Sequence, residues 1–182
     1  MKGTLGDGIF YSSANKVELV GYTDSDWAGD TEGRKSTSGF AFHLGSGVFS
    51  WSSKKQQVVA LSTTEAEYIA AAGGATQAVW LRRMLSELKH RHDAPTVIYC
   101  DNKSTISLTK NPVYHGRSKH IDIKFHFIRD LVKDKEIVIE YCRSEEQVAD
   151  IFTKPLKVDT FQKLKKSLGM MSYEGLGLRG AM

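Results

Sequence analysis

Apolar positions along the chain form short runs that alternate with long stretches of helical spacing. VELVGYTD (17–24) is apolar on both faces, with Val20 and Tyr22 on one and Val17 and Leu19 on the other. That is the pattern of a central strand covered from both sides. TSGFAFHL (37–44) alternates through Phe40, Phe42 and Leu44, and VFSWSS (48–53) follows after Gly45-Ser46-Gly47, so a hairpin is predicted. GIFY (8–11) suits a further short strand. A long helix is predicted from Thr64 to Lys89, capped by Thr63 or Thr64, with acids in its first turn. TVIYCD (96–101) reads as a second buried strand, followed by a short helix over 102–110 that ends at Asn111-Pro112. Residues 118–133 place Ile121, Phe125, Ile128 and Val132 on one helical stripe. EIVIEYC (136–142) is a strand, and SEEQVADIF (144–152) opens a helix capped by Ser144 and interrupted at Pro155. An amphipathic helix over 159–168 carries Phe161, Leu164 and Leu168. Apart from the short 8–11 segment, the order is three strands, helix, strand, helices, strand, helix, an α/β arrangement.

Composition adds bounds rather than detail. With 182 residues, 41% hydrophobic and 25% charged, the chain suits one globular domain. No apolar run reaches the length of a membrane span, and no charged-then-apolar start marks a signal peptide, so a non-secreted, intracellular protein is expected. Two cysteines, Cys100 and Cys142, are too few for a disulfide framework and suit a reducing compartment. The net charge of +4 is uneven, with Lys157, Lys163, Lys165 and Lys166 in one segment and Arg117, Lys119 and Lys124 in another. Such patches fit a polyanion partner and, for the C-terminal lysines, equally a solvated helix face.

The acids carry more information. Asp24 and Asp101 each end an apolar strand, two residues after Tyr22 and Tyr99. If the strands are parallel neighbours, both carboxylates emerge at the carboxyl end of the sheet, where open α/β sheets place their sites. Paired carboxylates raise each other's pKa unless a cation neutralises them, and a hard divalent ion such as Mg²⁺ is the natural partner. On the long helix, steps of four and three from Glu67 give Ala71, Gly74, Ala78, Leu81, Leu85 and Leu88, a stripe fit to pack on the sheet. Glu67 stands at the N-terminal end of that stripe, whereas Glu65 reads as a partner of the helix dipole. Asp150, beside Val148, Ile151 and Phe152, can turn toward the same cation. Within YTDSDWAGD (22–30), Asp26 lies past the strand, second to the ligand or shaping the bend, and Asp30 reads as a turn residue.

At this point the residues resemble a known family. YTDSDWAGD, RKSTSGFAF, SWSSKKQQVVALSTTEAEYIAAA, YCDNKSTISLTKNPVYHGRSKHIDIKFHFIRD and VADIFTKPL look like the ribonuclease H domain of Ty1/copia-type retrotransposon polyproteins, over roughly residues 3–170. The resemblance implies a ribonuclease H-like fold: a five-stranded mixed sheet, three antiparallel then two parallel strands, flanked by helices. It implies hydrolysis of the RNA strand of RNA–DNA hybrids by two Mg²⁺ ions, with Mn²⁺ as a substitute, leaving 5′-phosphate and 3′-hydroxyl ends. By motif, Asp24, Glu67, Asp101 and Asp150 match the family's metal-binding acids, with Asp24 expected to bridge the two ions. Ser25, Thr64, Asn102 and Lys103 match positions near the hybrid, and Arg117, Lys119 and His120 suit phosphate contacts. The resemblance also implies a cytoplasmic, virus-like-particle setting, a reverse transcriptase partner in the same polyprotein and a monomeric isolated domain. Residues 1–16 then read as the junction after the polymerase, 17–168 as the domain and 169–182 as a flexible tail.

The departures from the family are specific. The link Tyr141-Cys142-Arg143-Ser144-Glu145-Glu146 lacks the histidine that relatives carry before the last helix, and His120 is a candidate replacement beside a bland solvated or packing role. A tryptophan-rich basic protrusion is missing too, and Trp80 reads as packing. Two rival readings stand beside a nuclease for hybrids: a non-catalytic, domesticated hybrid-binding module, and an integrase-like nuclease on the same fold.

Overall fold

Strand pairing follows directly from the alternation of side chains. The computed structural model describes residues 6–12, 17–90, 93–110 and 122–172. Its elements are β1 (Asp7–Ile9), β2 (Leu19–Asp26), β3 (Thr37–Leu44), β4 (Gly47–Lys55), α1 (Thr63–Glu87), β5 (Thr96–Cys100), α2 (Lys103–Lys110), α3 (Asp122–Lys133), β6 (Ile137–Tyr141), α4 (Val158–Ser167) and β7 (Met170–Ser172). Five strands form one sheet in the order β4-β3-β2-β5-β6. The β4–β3 and β3–β2 pairs are antiparallel, whereas β2–β5 and β5–β6 are parallel. This is the expected mixed sheet. Antiparallel β2, β3 and β4 need only short turns, but the parallel pairs need crossovers, which α1 and the α2–α3 segment supply.

The two faces of the sheet are covered differently. On one face α1 lays down Ala71, Gly74, Ala75, Ala78, Leu81 and Leu85, all buried. A Cβ on Gly74 would sit 3.6 Å from the Thr23 side chain, so small residues let the helix ride close to β2. Phe42, Tyr68, Ile98, Ile128, Ile137 and Ile139 complete this core. Phe42 pairs with Gly21 across the strands, and its ring fills the space where a Gly21 side chain would be. The other face carries a smaller cluster of Ala41, Val48, Val148 and Leu168, with Ile9, Tyr22, Ile151, Phe152 and Met170 against it. No helix among the described residues is long and apolar enough to cross a membrane.

Several expectations need correction. Residues 144–152 do not form one helix but two short 3₁₀ segments, Ser144–Glu146 and Val148–Phe152, joined at Gln147. The buried Gln147 side chain accepts a hydrogen bond from Ala149 N, which gives the chain a reason to turn there. α1 is capped by Ser62, whose Oγ accepts from Glu65 N, rather than by Thr63 or Thr64. Glu65 Oε2 in turn accepts from Leu61 N, so the pair closes the helix start reciprocally, as in a capping box. Leu88 and Trp80 are exposed; Leu88 lies past the helix end, and Trp80 faces away from the Ala78–Leu81 stripe. Met170–Ser172, expected in a loose tail, pairs with β1 and is anchored because Phe10 N donates to Gly169 O and Met170 joins the smaller core. Of the α3 stripe, Ile128 and Val132 face the core, whereas Ile121 and the Phe125 side chain lie outside the described residues, as do 173–182.

Gly39 controls how closely the 3₁₀ segment approaches the sheet. A Cβ there would lie 2.6 Å from Thr153 Cγ2, 3.1 Å from Phe152 Cβ and 3.2 Å from the Ala149 carbonyl oxygen. Gly39→Ala is therefore expected to lower stability by about 1–3 kcal/mol, the usual range for overpacking. Chemical denaturation reads the loss; an alanine variant as stable as the parent would mean that the segment is not pressed on β3.

Candidate active site

The parallel pairing of β2 with β5 brings two acids to one edge. Tyr22 and Tyr99 are register partners, with ring centroids 5.2 Å apart. Two residues further on, Asp24 and Asp101 follow at the carboxyl ends of adjacent strands. Asp24 is 1% exposed and pairs in register with Gly39, which has no side chain to cover it.

Glu67 arrives from the other face of the sheet. The Ser62–Glu65 cap fixes where α1 begins, and the alanine and glycine stripe sets its height above β2. Glu67 Oε1 accepts from Ser25 N at 3.3 Å, and Cys100 Sγ approaches its Oε2 at 3.9 Å. The helix carboxylate thus reaches round the sheet edge to the strand ends.

Asp150 completes the group from the Gly39 side. Gln147, fully buried, donates to Thr23 O at 3.1 Å and so fastens the 3₁₀ segment to β2. Thr153 Oγ1 donates to Asp24 Oδ2 and lies 3.3 Å from Asp150 O. Lys154 places its Nζ 3.0 Å from Asp150 Oδ1 and 3.4 Å from Asp24 Oδ2. Ser144 Oγ donates to Asp101 Oδ2 at 2.8 Å.

Ligand atoms of Asp24, Asp101 and Asp150 lie within 4.8 Å of one another, and so do those of Glu67, Cys100 and Asp101. Asp101 is the member common to both groups, and Asp24, the acid expected to bridge, also stands beside Glu67. Burial, then the charges of Asp24 and Asp101, push the Glu67 carboxyl up to about 9, against a weaker pull from Ser25 N–H. Burial and Asp24 push Asp150 up to about 7, with Lys154 opposing. Burial lowers the Lys154 pKa, but Asp24 and Asp150 outweigh it and hold the ammonium above its ordinary value. Added positive charge would favour the ionised form of carboxyls so displaced. Their donors are hard oxygens, the set that Mg²⁺ or Mn²⁺ takes. The Cys100 thiol is buried and held well above the usual thiol range, so it offers no thiolate to a softer metal.

The other predicted contact residues divide. Asn102 Oδ1 is committed to capping α2, accepting from Ser104 N at 3.0 Å and Thr105 N at 3.1 Å. Lys103 holds its ammonium 4.8 Å from the centre of the Tyr141 ring, at the same sheet edge. Thr64 O accepts from Thr105 Oγ1 at 3.2 Å, joining α1 to α2, and Ser25 is buried under Glu67. Arg117, Lys119 and His120 lie outside the described residues. Asp26 braces the strand end by accepting from Thr37 N, and Asp30 closes a turn through Gly33 N and pairs with Lys55 at 2.8 Å. Gln147, Thr153 and Lys154 were not singled out from the sequence. The signal available was their three- and four-residue spacing around Asp150.

Similarity to known proteins matches this arrangement. The chain is 44% identical over 172 residues to the retrovirus-related Pol polyprotein of transposon TNT 1-94 from Nicotiana tabacum, covering 94% of this chain and 13% of that protein. It is 41% identical over 171 residues to the corresponding RE2 polyprotein of Arabidopsis thaliana, covering 94% of this chain and 12% of that one. Among solved structures, the N-terminal RNase H domain of a Mycobacterium tuberculosis protein superposes with a TM-score of 0.55 at 17% identity, covering 84% of this chain and 99% of that one. The chain is a ribonuclease H-fold segment of the copia-type retrotransposon Pol family. A second neighbour is LC11-RNase H1, solved with an RNA/DNA hybrid, at a TM-score of 0.54 and 15% identity over 75% of this chain and 94% of that one. The protease-reverse transcriptase of prototype foamy virus matches at a TM-score of 0.52 and 16% identity, over 91% of this chain and 21% of that one. No family model matches the chain. This ribonuclease H-fold segment therefore spans about an eighth of the curated polyproteins it matches.

The shifted carboxyls make the metal-free segment sensitive to pH. Both folded pKa values lie above the unfolded ones of about 4. The stability these groups contribute is complete below that value and is lost as pH rises through about 7 for Asp150 and about 9 for Glu67. In a chelating buffer the melting temperature should fall between about pH 7 and 8.5, above the range of ordinary histidines and below that of ordinary thiols. Asp24→Asn, which removes a charge acting on both groups, should flatten the slope. A melting temperature that holds level or rises across that window would contradict the electrostatic account.

Proposed function

We propose that this chain hydrolyses the RNA strand of RNA–DNA hybrids with the aid of two divalent cations, Mg²⁺ or Mn²⁺, as one activity of a reverse-transcribing polyprotein. The observation that carries the reading is the convergence of Asp24, Glu67, Asp101 and Asp150 at the carboxyl edge of the sheet. The membership of the chain supports it, as does a neighbour of the same fold that was solved with an RNA/DNA hybrid. The donor set fits the cations: carboxylate oxygens that converge within 4.8 Å, with two carboxyls displaced upward by burial and by the neighbouring acids. When bound, such a pair polarises a phosphoryl oxygen, lowers the pKa of a water and stabilises the leaving oxygen.

The chain's own residues would do the rest. Asp24, Asp101 and Asp150 would hold one cation, and Glu67 with Asp101 the other. Ser25 N–H and Ser144 Oγ fix the orientation of Glu67 and Asp101, so little reorganisation is needed when substrate arrives. Lys103, held over Tyr141 at the same edge, would meet the phosphate backbone. The RNA strand would be selected by its 2′-hydroxyls and by the minor-groove shape of the hybrid. The products would carry 5′-phosphate and 3′-hydroxyl ends. The polymerase of the same polyprotein would supply the hybrid, as suits a fold that also covers 21% of a viral protease-reverse transcriptase chain.

The test is cleavage of a labelled RNA–DNA hybrid, duplex DNA and duplex RNA by the purified chain in Mg²⁺ or Mn²⁺. Hybrid-specific cleavage is expected, with Asp24→Asn slower by on the order of a hundredfold or more, the scale of losing one preorganised electrostatic group. Cleavage of duplex DNA instead would favour an integrase-like nuclease. Binding of hybrid without cleavage would favour a non-catalytic module.

A further inference from the structure

The position of Lys154 has a consequence for the metal site. Its ammonium lies between Asp24 and Asp150, at 3.4 Å and 3.0 Å, which are two of the three acids whose ligand atoms converge. Its backbone is fixed: Lys154 N–H donates to Asp150 O at 3.2 Å, and Pro155 restricts the residue before it. Its side chain is 36% exposed, so the flexible stem has a path to solvent. Asp24 and Asp150 are almost wholly buried and have no such path.

We propose that Lys154 is a built-in counter-ion that occupies the cation's place in the metal-free protein and is displaced when a divalent cation binds. The proposal rests on the metal-dependent reading above. Charge balance argues for displacement. The acids of the site outnumber the one lysine, whereas two divalent cations would neutralise all four acids in their ionised form and make the ammonium surplus. A like charge held within 3–4 Å of a divalent cation is repelled, and the exposed stem lets the lysine leave at little cost. Lys154 thus has two opposite effects: it stabilises the empty site and weakens the apparent affinity of the full one. It is a positioning residue for the carboxylates and a competitor of the cation, by mass action on the same oxygens.

Those opposite effects separate this role from a plain structural ion pair. The experiment is titration of the metal-free chain with Mg²⁺ alone, by calorimetry and by thermal shift, in the parent, Lys154→Met and Lys154→Arg. Met keeps the stem's bulk without the charge. Arg presents a planar fork able to bridge both carboxylates and is harder to displace. Lys154→Met is expected to melt lower without metal yet bind Mg²⁺ roughly fivefold to tenfold more tightly, the scale of one partly exposed ion pair. Lys154→Arg is expected to melt no lower than the parent and bind Mg²⁺ more weakly. Unchanged or weaker binding by Lys154→Met would overturn the proposal, as would equal loss of melting temperature with and without metal. If Lys154→Met fails to fold, the Arg variant decides: binding as tight as the parent's overturns the idea. A parent chain that binds no Mg²⁺ would overturn the metal-dependent reading itself, an outcome distinct from a parent that binds and variants that do not differ.

Discussion

Like charge at one sheet edge is the constraint around which this structure is built. Asp24, Asp101 and Asp150 bring ligand atoms within 4.8 Å of one another, Glu67 and Asp101 do the same, and Asp24, Glu67 and Asp150 are nearly buried. In water such a group would spread apart. Here it cannot, because each acid is fixed to a different rigid element: two to adjacent strands, one to a helix on one face, one to a 3₁₀ segment on the other. The site therefore costs stability that the hydrophobic cores must offset, a pattern common at functional sites. Neutral donors reduce that cost, with Ser25 N–H on Glu67, Ser144 Oγ on Asp101 and Thr153 Oγ1 on Asp24.

Close approach is what makes the convergence geometrically feasible. A helix packed on a sheet through large side chains would hold Glu67 too far from β2 to bond Ser25 N–H. The Ala71, Gly74, Ala75 and Ala78 stripe removes that distance, and larger Leu81 and Leu85 fill the wider space further along. On the opposite face Gly39 does the same for the segment that carries Asp150. Small residues on both sides thus bring the acids together, while Phe42, Tyr68 and the isoleucines supply the buried area that holds the sheet.

Much of this was legible in the sequence because its signals are local. Asp24 and Asp101 stood out through their matched position two residues after a tyrosine, and the pairing of Tyr22 with Tyr99 shows why that parity matters. Glu67 followed from a helical stripe that ends at it. The five strands of the sheet were each found within two residues of their ends, and the Ser62 cap was missed although Ser-Thr-Thr-Glu carried its signal. What was not legible depends on partners distant in the chain. The pairing of β1 with β7 joins residues 7–9 to 170–172, and no period within either segment announces it. Trp80 was read as packing because its neighbours are apolar, yet the helix turns it outward. Lys154 could not be assigned without knowing that Asp24 lies opposite.

The 3₁₀ segment shows why the acid was found but its support was not. Asp150 N donates to Gln147 O and Thr153 N donates to Asp150 O, each at 3.2 Å, so the chain winds with a period of three residues. At that period residues three apart eclipse one another. Gln147, Asp150 and Thr153 therefore form one row facing β2: Gln147 bonds Thr23 O, Thr153 bonds Asp24, and Asp150 stands between them. An α-helix would rotate successive members of that row by about 60° and carry its ends off the strand. Read with a helical period, the segment offers an acid beside an apolar stripe. Read with a period of three, it offers an acid held at both ends by polar side chains that reach the strand of its partner, and only that geometry fixes Asp150 against Asp24 in spite of their repulsion.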